Sequence, residues 1–178
     1  MFYICLINSI HIIMIQISEK QIEDALLESN IDYINLYTDT YLKEVDGDLN
    51  AENMQLLDGY QHALLAYRFI LEEVGHGGFV QLIQNGYGGY IFDNPTAKAL
   101  KIFGADKTAK IIYKAKEIFD PNRGVLERET TEEEFTAMYV DFEEFDVLEE
   151  HFYGIEQEQT AIIAKFVDEN RSLFSKIV

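Results

Sequence analysis

The chain has 178 residues and a formal net charge of −18. Nucleic acids and anionic membranes are polyanions that attract lysine and arginine, so this charge excludes a general attraction to either. The length fits one domain with a sizeable core, and a hydrophobic fraction of 48% argues against disorder. The single cysteine, Cys5, cannot form an internal disulfide, which fits a reducing compartment, and we expect a cytoplasmic protein.

Residues 1–17 form an apolar segment without lysine or arginine. The segment lacks the positive start and the cleavage site of a secretory signal, and it is too short to span a bilayer, so no membrane contact is expected. Met14 stands directly before a good helix start. We therefore expect an apolar extension over residues 1–13, explained by an upstream start codon, and one helical domain over residues 14–178. An additional strand or helix packed on the domain is the alternative for the extension.

Helix signals follow in chain order. Ser18 and Gln21 form a capping box, and apolar residues then recur at helical spacing as far as Leu42, which predicts one long or broken amphipathic helix. A turn is predicted at residues 46–48, and Asn50 is expected to cap a short helix after it.

A strongly apolar stretch over residues 60–74 predicts a buried helix at the centre of the core. Glycines interrupt this pattern from Gly75 onward. Residues 79–85 predict a short helix that Gly86 ends, and the glycine-rich residues 86–90 are expected to form a loop.

The next two helices are bounded by proline and glycine. Pro95 and Gly104 delimit one helix, and residues 106–119 predict another that ends before Pro121.

Two further helices are predicted near the C-terminus. Thr130 and Thr131 each precede a glutamate by three residues, which predicts a doubled capping box, and a last helix is expected at about residues 155–177. No strand pattern of any length competes with these helices. The sequence thus predicts an all-α fold, a single compact multi-helix domain that is not a simple four-helix bundle.

Thirteen carboxylates and a single base, Arg128, occupy residues 127–158, which we call the acidic segment. Thirteen acids minus one base give this segment a charge of about −12. Charges of one sign at this density repel one another, so we expect the acidic segment to bind a basic surface on a partner. Residues 95–123 carry seven bases and three acids, a balance of +4. These bases are expected to contact the acids within the fold or across a homodimer, or to form a solvated face.

The sequence offers no complete catalytic or metal-binding motif. Its four histidines are scattered without an HExxH motif or a cysteine pair, and Glu73 with His76 is half of a carboxylate-bridged metal motif whose second copy is absent. Residues 86–90 lack the lysine of a phosphate-binding loop. We predict no catalytic residue, no cofactor and no bound metal.

The string HGGFVQLIQN at residues 76–85 combines a Gly-Gly-Phe-x-Gln segment with a following asparagine. Together with residues 64–73 and 94–120, it resembles the bacterial DNA-mimic protein family, and the resemblance extends from about Met14 to the C-terminus. It implies an all-helical, acidic and often dimeric protein. One characterised member binds a DNA-binding protein in place of DNA, whereas most members have no assigned function.

The motif residues are expected to be structural first: Gly77, Gly78, Phe79, Gln81 and Asn85. The glycine pair permits close packing or a chain reversal that places Phe79 in the core. Gln81 and Asn85 lie one turn apart and can hydrogen-bond backbone groups or a small ligand.

Carboxylates three or four residues apart on a helix can approach the spacing of DNA phosphates, roughly 7 Å. The acidic segment supplies the predicted partner-binding residues: Glu132, Glu133, Glu134, Asp141, Glu143, Glu144, Asp146, Glu149 and Glu150. Aromatic residues interleaved with these acids either anchor a contact or belong to the core.

We predict a non-enzymatic protein that binds a basic DNA-binding protein, or another basic protein, through a DNA-like carboxylate face, without contacting nucleic acid directly. One alternative is an immunity or antitoxin-like protein that neutralises a basic toxin. Another is a helical domain with a small-ligand pocket near Glu73, His76, Gln81 and Asn85.

Overall fold

A computed structural model describes residues 15–47, 49–50 and 52–178 of the chain. Most of this part is helical: α1 (Glu19–Glu28), α2 (Asn30–Glu44), α3 (Gly59–Leu82), α4 (Gly88–Phe92), α5 (Thr96–Ile102), α6 (Asp106–Leu126), α7 (Glu132–Asp141) and α8 (Asp146–Glu169). Shorter helical turns lie at Met54–Leu56, Ile83–Tyr87, Glu143–Phe145 and Arg171–Leu173. Two-residue strands, β1 (Gln16–Ile17) and β2 (Lys176–Ile177), pair in parallel. The predicted all-α fold is confirmed.

The two ends of the described chain meet at this short ladder. Ile15 and Ile17 are buried, and the Lys176 amide donates to the Ile15 carbonyl over 2.7 Å. Packing of the domain therefore includes residue 15, whereas the predicted extension over residues 1–13 lies outside the described residues.

The amphipathic helix predicted after Ser18 is broken at Ser29. The capping box of Ser18 and Gln21 is present, and the Ser29 hydroxyl accepts a hydrogen bond from the Asp32 amide over 3.0 Å to begin α2. Ser29 followed by an acid three residues later is itself a helix-start signal, so the sequence contained the position of the break.

The predicted turn is present at Asp46 and Gly47, where φ is positive at both residues, and residue 48 lies outside the described residues. The Asn50 side chain accepts hydrogen bonds from the amides of Glu52 and Asn53. A single helical turn, Met54–Leu56, follows this cap.

The apolar helix α3 passes through the centre of the core, as its sequence predicts. Leu64, Leu65, Tyr67 and Ile70 have no exposed surface, and the helix packs against α2, α5 and α8. A central helix with neighbours on several sides differs from a simple four-helix bundle, in agreement with the prediction.

The predicted stop at Gly86 is present as a kink, where φ is 87°. The loop predicted for residues 86–90 is wrong, because these residues belong to a helical turn and to α4, and buried Ile91 and Phe92 hold this segment on the core. The predicted end of the helix after residue 106 is wrong as well. The helix α6 does not end before Pro121 but continues to Leu126, whose buried side chain anchors the last turn.

The last predicted helix is also misplaced. The sequence places it at about residues 155–177, but α8 spans Asp146–Glu169. Beyond α8 the chain turns at Arg171–Leu173 to reach β2, where pairing with β1 replaces helical hydrogen bonds.

Of the two adjacent threonines predicted as caps, one starts α7. Thr131 forms the capping box with Glu134, whereas the Thr130 hydroxyl donates to the Gln84 side chain over 2.8 Å.

Candidate protein-binding surface

The helix α3 is broken at its glycine pair. Gly77 has φ −157° and ψ 21°, and Gly78 has φ 73° and ψ −169°. The backbone of Gly78 lies in the left-handed half of φ, which side chains other than hydrogen strongly disfavour. Helical geometry resumes at Phe79, whose ring is fully buried and lies 5.4 Å from that of Phe145.

The restarted helix is capped by a carboxylate from α8. Because the first amides of a helix have no partner within it, they attract an acceptor, and the positive end of the helix dipole favours an anion. The Phe79 amide donates to Glu149 Oε1 over 2.7 Å. A Cβ atom at Gly78 would lie 2.2 Å from the same oxygen. Gly78 is thus required both by its φ and by the space that Glu149 occupies.

Two tyrosines satisfy the carbonyl groups on the other side of the break. The Tyr139 hydroxyl donates to the Gly77 carbonyl over 3.0 Å, and the Tyr153 hydroxyl donates to the Val74 carbonyl over 2.9 Å. Since Tyr139 lies on α7 and Tyr153 on α8, the acidic segment is fastened to the glycine break by these hydroxyls and by Glu149.

The remaining motif residues brace the break from within α3 and the turn after it. Gln81 and Asn85 both donate to Glu73 Oε2, over 3.0 and 2.7 Å. His76 Nδ1 lies 2.5 Å from the Glu72 carbonyl, so its ring faces the preceding helical turn. Among the described residues, no three His, Cys, Asp or Glu side chains gather as a metal site.

Burial raises the pKa of the Glu149 carboxyl; the Phe79 amide opposes this effect, and nearby Asp146 adds to it. Because the pKa in the folded state lies above that in the unfolded state, the folded chain holds this proton more tightly. The contribution of Glu149 to stability therefore decreases as pH rises through the raised pKa.

We expect the variant Glu149→Gln, whose side chain cannot ionise, to keep this part of its stability as pH rises. The free energy of unfolding of the variant minus that of the wild type should increase from about pH 4 to about pH 7. Urea denaturation across this range measures it. The matched control is Glu150→Gln on the same helix, whose exposed carboxylate forms no ion pair within the described chain. Identical pH profiles for the two variants would contradict the expectation.

Seven of the nine predicted partner-binding carboxylates are exposed, and no ion pair within the described residues neutralises them. We call these seven the acidic surface: Glu132, Glu133, Asp141, Glu143, Glu144, Asp146 and Glu150. Two predicted residues lie elsewhere. Glu149 points inward to Phe79, and Glu134 accepts from the Thr131 amide and lies 3.2 Å from Arg128.

Most aromatic residues between these acids belong to the core. Phe142, Phe145 and Phe152 are buried, whereas Tyr153 is 48% exposed. Sequence reasoning missed two apolar side chains on the outside, Val140 and Val147, which are 76% and 57% exposed. Valine at these positions gave no signal, since its exposure depends on which helix face meets the core.

The basic residues of 95–123 are only partly matched by the acidic segment. Lys107 lies 2.6 Å from Glu158, and Arg123 lies 3.5 Å from Glu127. Lys116 and Arg123 also pair with Asp93, outside the acidic segment. Internal neutralisation is therefore partial, and the predicted homodimer stays a prediction.

None of the helices in the described part of the chain has the length and apolar character needed to cross a bilayer.

Comparison with known proteins identifies the family. The sequence model of the DMP19-like proteins matches residues 54–170, a range that contains the glycine break and the acidic surface. The DNA mimic protein DMP19 of Neisseria meningitidis serogroup B is 29% identical over 127 residues, which cover 71% of this chain and 77% of that protein. The resemblance seen in the sequence is thus confirmed, and the chain belongs to the family of DMP19-like proteins.

Proposed function

We propose that the chain acts without catalysis, in the cytoplasm, by presenting its acidic surface to a basic nucleic-acid-binding protein in place of DNA. The observation that supports this most is the exposure of seven carboxylates without an ion pair within the described residues, all in the region shared with the family. Uncompensated charge at this density lowers stability unless a partner uses it.

The acidic surface also has a rigid support. Tyr139, Glu149 and Tyr153 fasten α7 and α8 to the glycine break in the central helix. Holding the helices that carry the carboxylates in place before binding reduces the entropy lost on association. Exposed Val140 and Val147 add apolar contact, which matters because charge directs association more than it retains a partner.

The name of the Neisseria relative describes a DNA mimic. We extend that description to this chain as a proposal, since the family match over residues 54–170 includes the acidic surface.

The proposal predicts a partner that can be displaced by DNA. We expect the immobilised chain to retain a basic protein from a bacterial lysate and to release it along a NaCl gradient, because the screening length is only about 8 Å at physiological ionic strength. The captured protein should shift a DNA duplex in a gel, and the added chain should abolish that shift. Capture of a basic protein that binds no DNA would favour toxin neutralisation instead, and capture of no basic protein would refute the proposal.

A further inference from the structure

A second surface of the chain has the opposite charge. Between α6 and α8 lies an open groove of about 470 Å³ whose floor is formed by Ile111, Leu148 and Ile155. Three lysines line it, Lys107, Lys110 and Lys114. We call it the lysine groove.

Two of these lysines are uncompensated. Lys107 pairs with Glu158, but neither Lys110 nor Lys114 forms an ion pair within the described residues, and both are exposed. Tyr113, also in the groove, is 44% exposed. Tyrosine is enriched at interaction hot spots, so Tyr113 beside the apolar floor is a candidate anchor, and the two lysines add positive charge around it.

The groove is about two helical turns long. Lys107 and Lys114 are seven residues apart on α6, and Leu148 and Ile155 are seven apart on α8, so each row extends about 10 Å along its helix. A helix laid in such a groove presents apolar anchors at positions i, i+3 or i+4, and i+7.

We propose that the lysine groove binds an acidic amphipathic helix of a protein partner. Its apolar side chains pack on Tyr113, on Ile155 and on the remaining exposed edges of Ile111 and Leu148, each of which is 6% exposed. Its carboxylates meet Lys110 and Lys114. The lysine groove adjoins the acidic surface on α8, where Leu148 and His151 of the groove lie on either side of Glu150 in the sequence. The proposal does not depend on the function proposed for the acidic surface.

The competing occupant is a second copy of the chain. The exposed Leu27 of α1 lies among Glu23, Asp24 and Glu28. The composition of α1 therefore resembles that of the proposed acidic helix. A contact between α1 and the lysine groove would join two different patches. Such heterologous contacts propagate from copy to copy unless the rotation closes a ring, which favours a separate partner.

Binding in the lysine groove has a distinctive salt dependence. An acidic helix is repelled at long range by the net charge of −18 and attracted at short range by two lysines and an apolar floor. Salt screens the long-range repulsion first. Affinity should therefore hold or rise as NaCl increases, whereas affinity at the acidic surface should fall.

The test uses the full chain and a fluorescein-labelled synthetic helix with leucines at i, i+3, i+4 and i+7 and glutamates elsewhere. A second probe carries lysine in place of glutamate. We expect saturable anisotropy with the acidic probe, and at least about tenfold weaker binding to the variant Lys110→Glu with Lys114→Glu. The matched control is Lys98→Glu with Lys101→Glu on α5, two exposed lysines without ion pairs in the described chain, which should bind as the wild type does.

Several results would overturn the proposal. If both pairs of substitutions weaken binding of the acidic probe equally, the effect is due to net charge. If the acidic probe shows no saturable binding, the groove does not bind an acidic helix. Displacement of the acidic probe by a DNA duplex would assign the groove to nucleic acid. Sedimentation of the unlabelled proteins gives the last readout: self-association lost only in the Lys110→Glu, Lys114→Glu variant would assign the groove to a second copy.

Discussion

Replacing Gly78 by alanine is expected to lower the free energy of unfolding by about 3 kcal/mol or more. At φ 73° and ψ −169° an alanine backbone is strained, and its Cβ atom would lie 2.2 Å from Glu149 Oε1. If Glu149 moves away, the buried Phe79 amide loses its acceptor, which costs a further amount on the order of 1 kcal/mol. Urea denaturation followed by circular dichroism measures the loss.

The control for this substitution lies three residues earlier. Gly75 is exposed on α3, and a Cβ atom there would meet no atom within 4 Å. Gly75→Ala should therefore stabilise the protein by about 0.5–1 kcal/mol. Combining Gly78→Ala with Glu149→Ala removes the clash, so the cost of the pair should be less than the sum of the two single costs. Strict additivity, or equal effects at Gly75 and Gly78, would contradict this account of the break.

Neutralising Glu143, Glu144 and Glu150 together as glutamines is expected to weaken partner binding on the order of tenfold at physiological salt. All three carboxylates are exposed, and none forms an ion pair within the described chain, so their removal should leave the fold intact or relieve repulsion. The difference from the wild type should shrink as NaCl rises, because screening weakens the same interactions. Affinity for the captured partner, measured by surface plasmon resonance over a salt series, gives the result.

A variant with the same change of charge on another helix distinguishes binding through the acidic surface from an effect of net charge. Glu23→Gln, Asp24→Asn and Glu28→Gln remove three exposed carboxylates from α1, which lies outside the region matched by the family. This variant should bind the partner as the wild type does. Equal losses in both triple variants would refute the assignment of binding to the acidic surface.

Short sequence signals predicted the helix starts well where the structure depends only on residues close together in the chain. The capping boxes at Ser18 and Thr131 formed because a hydroxyl and a side chain three residues later meet in any helical first turn. The helix end predicted at Pro121 was wrong because it considered only local effects. The missing amide of Pro121 weakens the helix, but the burial of Leu126 in the core extends α6 beyond it.

The candidate site was predictable in composition but not in arrangement. The density of acids in residues 127–158 was plain from the sequence, and seven of the nine chosen carboxylates lie exposed. Glu149 could not be recognised as a cap, because the amide it accepts from belongs to Phe79, 70 positions away. Exposed Val140 and Val147 were equally hidden, since nothing local distinguishes them from core valines.

The sequence by itself determined the all-α class, the family, the glycine motif and the charge of the acidic segment, because composition, periodicity and short spacings act within a few residues. Only the tertiary structure decided which of the acids face outward, why Gly78 must be glycine, and that lysines and apolar residues of α6 and α8 form one groove. These features arise where helices distant in the chain are brought into contact, and the packing of their faces is a property of the whole core rather than of any segment.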